Sequence, residues 1–178
     1  MDFDNAIGFV LAREGQFQDQ RGDPGNWTGG AIGKGELKGT NFGISAAAYP
    51  TLDIRTLTVD EAKAIYRRDY WTPIRGDDLP AGVDLFALDG AVNQGLVTIR
   101  DLQMAARVAV DGKIGPQTLA MARGTAFLAR YAARRAVRYS QARAFTIYAE
   151  GWFTRLFQAH ATALAAMQPD QSGPSGSP

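Results

Sequence analysis

Glu14, Asp23 and Thr40 are the residues of this 178-residue chain whose types and spacing could do acid–base chemistry. Glu14 continues an apolar series, Phe3, Ile7, Val10 and Leu11, that recurs at the three-and-four spacing of one helix face. It falls on the buried edge of a helix expected over 3–14, with Gly15 as its stop. A carboxyl partly withdrawn from water and facing the negative end of a helix dipole resists ionisation, so its pKa is expected to rise. Such an acid can donate a proton to a departing sugar oxygen near neutral pH. The competing reading is a Glu at a frayed helix end, turned to solvent or paired with Arg13.

Asp23 stands in Gly22-Asp23-Pro24-Gly25, a tight turn able to hold an ionised carboxylate at the mouth of a cleft. Two carboxyls whose surroundings separate their pKa values divide acid and base work. Asp23 could instead cap its own turn, and Asp19 competes for the second-carboxylate role. In Thr40-Asn41-Phe42-Gly43-Ile44, a threonine hydroxyl at a strand edge can position a water, and Gly43 lets a sugar approach the backbone. A plain strand and turn is the alternative. Trp27, Phe42, Tyr49, Tyr70 and Trp71 offer flat rings for a pyranose face, against core packing as the other use of each. Asn93, four residues after Asp89, either reaches the groove or satisfies buried backbone.

The elements that must position these residues are mostly helices. Residues 15–44 are rich in Gly, Asp, Asn, Pro and Thr, an unusually long loop with short strands expected around Trp27 and Asn41–Ile44. A short helix is expected over Ser45–Tyr49. Thr58-Val59-Asp60-Glu61 is a capping box opening a helix to about Tyr70. The run Val83–Asn93, apolar on most sides, is expected to be the central helix. Helices over 98–108, 116–123, 125–148 and 152–167 follow, and the Pro/Ser/Gly tail from Pro169 is expected to be disordered.

Composition bounds the rest. A hydrophobic fraction of 46% is that of a globular protein, and a formal charge of +1 gives no electrostatic case for nucleic acid or membrane. There is no cysteine, which removes thiolate chemistry, and one histidine, His160, argues against a histidine-rich metal site. No metal or other cofactor is expected. The start, Met1-Asp2-Phe3-Asp4-Asn5, lacks the pattern of a secretory signal, and no apolar run has the length of a membrane span. Synthesis in the cytoplasm is expected, without an integral membrane segment and as a monomer.

Arg13-Glu14-Gly15, Asp23-Pro24-Gly25 and Thr40-x-x-Gly43-Ile44 together resemble the signature of glycoside hydrolase family 108, the phage-endolysin and secretion-activator muramidases. The resemblance continues through Ala64–Arg68 with Tyr70-Trp71, Asp89–Asn93 with Gly95, Asp111–Leu119 and Gly151-Trp152. It implies a mainly α, lysozyme-like fold and cleavage of the glycan of peptidoglycan. It implies a catalytic region over 1–95 and a helical peptidoglycan-binding-like region over 96–168 packed on the same core. The family's Glu carries over to Glu14 as proton donor. The Glu-Asp-Thr order also resembles the acid, base and water-orienting threonine of phage lysozymes, giving Asp23 and Thr40 those roles. Gln16 replaces the second glycine of the family's E-G-G, and residues 26–39 are an insertion, read as a flap, that brings Thr28 into competition with Thr40. Implied with the family are peptidoglycan strands as partner, a holin or export system for delivery, and action on periplasmic wall after release. A lytic transglycosylase and a non-catalytic wall-binding accessory are the other functions that these motifs could serve.

Overall fold

A computed structural model describes residues 1–168; the tail expected to be disordered lies outside the described residues. The described residues divide into two compact units, one of Ile7–Asp69 and one joining Met1–Ala6 to those from Tyr70 onward. Within the latter, the helix expected over Val83–Asn93 packs with the helices that follow it.

The first helix, α1, is Phe3–Leu11, shorter than the expected 3–14. Phe3, Ile7 and Val10 are buried, as their spacing requires. Beyond Leu11 the chain turns, yet the Glu14 amide still donates to the carbonyls of Val10 and Leu11, at 3.2 and 3.3 Å. Glu14 thus keeps its place in the helical series, one turn beyond Val10 and half-buried.

In the Ile7–Asp69 unit the long loop is tied rather than loose. Gln18 exchanges both backbone bonds with Thr40, and the insertion closes on itself as a hairpin: Trp27 bridges Leu37, Thr28 N–H donates to Glu36 O, and Gly29 N–H to Lys34 O. Strands β1, Thr40–Asn41, and β2, Ile44–Ser45, pair antiparallel in the register Thr40 to Ser45 and Asn41 to Ile44. Their two-residue turn is Phe42-Gly43, with φ of 50° and 75°. Positive φ at both positions is the geometry whose twist suits a tight hairpin. Ser45–Tyr49 forms a turn and not the expected helix. Helix α2, Val59–Tyr66, opens on the Thr58–Glu61 capping box in both directions and runs into a π-helical turn, Arg67–Trp71.

The α-helices of the other unit from Tyr70 onward are α3 Val83–Gln94, α4 Thr98–Ala106, α5 Pro116–Met121, α6 Thr125–Ser140 and α7 Phe145–Ala166. Every residue of α3 from Val83 to Ala91 is buried, as the apolar run implied. The last two helices break at 141–144, whereas the expected break was before Trp152. Gly151 lies inside α7 with open space where a side chain would stand, so nothing forces a stop there. The turn at 141–144 instead lets α7 fold back along α6, with Tyr139 stacked on Trp152 and Leu156 and Ala159 buried. Tertiary burial outweighs local propensity here.

Arg130, Arg134 and Arg138, four residues apart along α6, are used unequally. Arg138 makes a bidentate pair with Asp101, Arg130 donates to the Ala105 carbonyl, and Arg134 is exposed. Two side chains of the stripe therefore fasten α6 to α4. His160 lies edge-on to Phe86, with burial pushing its pKa below the usual imidazole range. No helix among the described residues is long and apolar enough to cross a membrane.

Candidate active site

The Phe42-Gly43 turn brings bare backbone against the carboxyl of Glu14. A Cβ on Gly43 would lie 2.6 Å from Glu14 Oε2 and 2.6 Å from the Tyr66 hydroxyl. Acid and phenol therefore converge on one point, and only a glycine leaves that point open. Tyr66, buried on the last turn of α2, donates from its hydroxyl to the Phe42 carbonyl at 2.8 Å, and the Phe42 amide donates to Gly15 O. These bonds hold a bulky residue at positive φ, which is uncommon and costs conformational energy. Strain of this kind persists where the surroundings overdetermine it, and here they fix Gly43 beside the acid.

Gly43→Ala tests this arrangement. The methyl would push the flexible Glu14 carboxylate aside while the backbone stays left-handed at a cost of about 1–2 kcal/mol. We expect a modest fall in the unfolding midpoint and a larger one in turnover, at least about tenfold. Parallel chemical denaturation and kcat measurements check the split; unchanged turnover would remove Gly43 from the site.

Asp23 and Thr40 meet through the side-chain amides of Gln18 and Asn26. Asp23 Oδ1 accepts the Gly25 amide at 2.8 Å, capping a 3-10 turn over Pro24–Asn26, and Oδ2 accepts from Gln18 Nε2 at 3.1 Å. The cap and the site are thus one arrangement. Thr40 Oγ1 donates to Asn26 Oδ1 at 2.7 Å, while Asn26 Nδ2 donates to Gln18 Oε1 at 2.7 Å and to the Gln20 carbonyl. Asn26, fully buried, is the hub of this network, and its carbonyl also receives the Lys38 and Gly39 amides at the base of the hairpin. A carboxylate that spends one lone pair per oxygen, and a hydroxyl that spends its hydrogen, can still accept from a water.

The competing Asp19 and Thr28 have other partners. Asp19 pairs with Arg55 at 2.8 Å on the surface, and the Arg55 guanidinium covers the Phe17 ring. Thr28 Oγ1 accepts the Glu36 amide inside the inserted hairpin. Arg13 stacks its guanidinium on Phe9, 3.5 Å from the ring centre. Among the aromatics, Trp27 is half-buried and pinned by its indole N–H to the Arg21 carbonyl at 3.0 Å. Tyr49 donates to Asp69, whose carboxyl is held below its ordinary range first by the Arg68 guanidinium and further by that hydroxyl.

Trp71 corrects the reading. Its ring is fully buried, edge-on to Phe3 and pressed on the Gly76 backbone, and its indole N–H donates to Asp77 at 2.9 Å. No face is left for a sugar, so Trp71 is a core residue. Tyr70 is half-buried and, like Trp71, belongs to the second unit. Asn93 is exposed near the end of α3, where Nδ2 donates back to the Asp89 carbonyl at 2.7 Å.

No curated protein matches the chain. Among solved structures, SagA of Brucella abortus is similar at 30% identity and a TM-score of 0.79, over 94% of this chain and 97% of that one. With seven α-helices and one two-stranded sheet among the described residues, the fold is mainly α and lysozyme-like. A family model described as glycosyl hydrolase 108 matches residues 7–95, half of the chain, and takes in Glu14, Asp23, Thr40 and Gly43. The chain belongs to glycosyl hydrolase family 108, and is a glycoside hydrolase.

Proposed function

We propose that this peptidoglycan-hydrolysing glycosidase is an N-acetylmuramidase, cutting the β-1,4 bond between N-acetylmuramic acid and N-acetylglucosamine. Glu14 gives its proton to the leaving oxygen. Asp23 and Thr40 each accept a hydrogen bond from one water; its lone pair attacks the anomeric carbon from the other side of the ring while Asp23 takes its proton and its second hydrogen stays on the new hydroxyl. Trp27, Phe42 and the open backbone of Gly43 receive the sugar. The observation that supports this most is the convergence of the Glu14 carboxyl and the Tyr66 hydroxyl on the uncovered Cα of Gly43. The Asp23–Gln18–Asn26–Thr40 network favours hydrolysis over transglycosylation, which needs the acid alone. Delivery by a holin or an export system to periplasmic wall, for lysis or remodelling, completes the proposal.

Digestion of purified peptidoglycan with mass spectrometry of the fragments tests it. New reducing N-acetylmuramic acid ends are expected. Anhydro-muramyl ends would make the chain a transglycosylase, and reducing N-acetylglucosamine ends would make it a glucosaminidase.

A further inference from the structure

The motif Gly151-Trp152 and the far end of α3 play no part in the site above, yet they share a cavity. Within the helical unit a recess of about 350 Å³ is lined by Asn93, Gln94, Arg138, Tyr139, Ala142 and Trp152. That size falls in the range of small-ligand sites. One wall is aromatic: Trp152 stacks on Tyr139 with ring centres 5.2 Å apart, and Tyr148, 55% exposed, tilts onto Trp152 and carries the apolar surface outward.

The polar groups of the recess are only partly spent. Gln94 uses both ends of its amide on Arg135. Arg138 commits Nε and Nη2 to Asp101, which neutralises its charge and fixes its plane, and leaves Nη1 without a partner among the described residues. Asn93 donates through Nδ2 to Asp89, so its Oδ1 is an unused acceptor. The Trp152 indole N–H likewise has no acceptor among the described residues. Arg138, Trp152 and Asn93 thus keep two donors and one acceptor, and the Tyr139 hydroxyl, buried without a partner among the described residues, is a further polar group of the recess, with no uncompensated charge.

We propose that this recess is a second glycan subsite, which takes the acetamido group of an N-acetylhexosamine. An acetamido carbonyl has two lone pairs, one each for Arg138 Nη1 and the Trp152 N–H, and its single N–H suits Asn93 Oδ1. The methyl and the pyranose face lie on Trp152, Tyr148 and Ala142. The choice of an acetamido sugar as ligand rests on the peptidoglycan reading above; the complementarity of the recess does not.

The test uses the full chain carrying Glu14→Gln, titrated with tri-N-acetylchitotriose and, separately, cellotriose, which has hydroxyls in place of acetamido groups. The three indole N–H resonances are followed by NMR, that of Trp152 being assigned with Trp152→Phe. Chitotriose is expected to move the Trp152 signal saturably at millimolar concentration, and cellotriose to leave it in place. Arg138→Lys keeps a cation beside Asp101 but removes Nη1, and should weaken the titration about tenfold. Ala142→Leu, which fills the recess, should weaken it as much, so the result does not hang on one variant. A Trp152 signal unmoved by chitotriose, or moved equally by cellotriose, overturns the subsite. Failure of the wild-type chain to cut purified wall would instead strike the proposed function, and the Trp152 titration would still report on the recess.

Discussion

Glu14→Gln is expected to remove at least about a thousandfold of kcat, roughly 4 kcal/mol of transition-state stabilisation, while the fold and wall binding remain. Gln matches Glu in shape, so the close packing on Gly43 and beside Tyr66 survives the change. What is lost is the ionisable proton, and an amide cannot supply one to a leaving alkoxide. Because Glu14 is half-buried at a helix end and not part of the core, stability should change by about 0.5 kcal/mol or less. A zymogram on purified peptidoglycan beside a thermal melt separates the two effects. Retained lysis with an unchanged melt would move the acid elsewhere in the chain.

The placement of Glu14 was legible in the sequence because its evidence is local. Phe3, Ile7 and Val10 mark the helix face, and a residue four beyond Val10 must continue it. The Thr58–Glu61 capping box, the buried run Val83–Ala91 and the turn around Gly43 were readable for the same reason. The partners of the site were not. Tyr66 reaches Phe42 from 24 residues away, and Asn26 meets Thr40 from 14. Asn26 was also hidden by its position at the start of the insertion, although as the hub it ties that insertion to Asp23. Trp71 shows the converse failure: an aromatic beside another aromatic carries no signal of burial until Phe3, Gly76 and Asp77 surround it. The break at 141–144 is a third kind, in which residues compatible with helix yield to the packing of α7 on α6.

Asp89→Asn should produce the largest loss of stability in the molecule, about 3–5 kcal/mol. Asp89 is fully buried on α3 and accepts from Arg135 Nη2 at 2.7 Å and from Arg155 Nε at 2.9 Å. Arg135 is itself fully buried, donates further to Gln94 and to the Phe86 carbonyl, and lies over the Phe86 ring. One carboxylate thus holds α6 and α7 onto the central helix against two cations. The next residue, Gly90, gives the room: a Cβ there would meet the Thr98 hydroxyl at 2.7 Å and Arg135 Nε at 3.2 Å. Asparagine fits the space but leaves a buried guanidinium without its counter-charge, and neither Gln94 nor a backbone carbonyl can replace it. At about 2–4 °C per kcal/mol for a chain of this length, the melting temperature should fall by roughly 6–20 °C. Arg155→Met is the graded control. Its partner Asp89 keeps Arg135, and Arg155 is 18% exposed, so the loss should be about 1–2 kcal/mol. Equal melting temperatures for Asp89→Asn and the wild type would mean that hydrophobic packing of α3, α6 and α7 carries this unit without the ion triad.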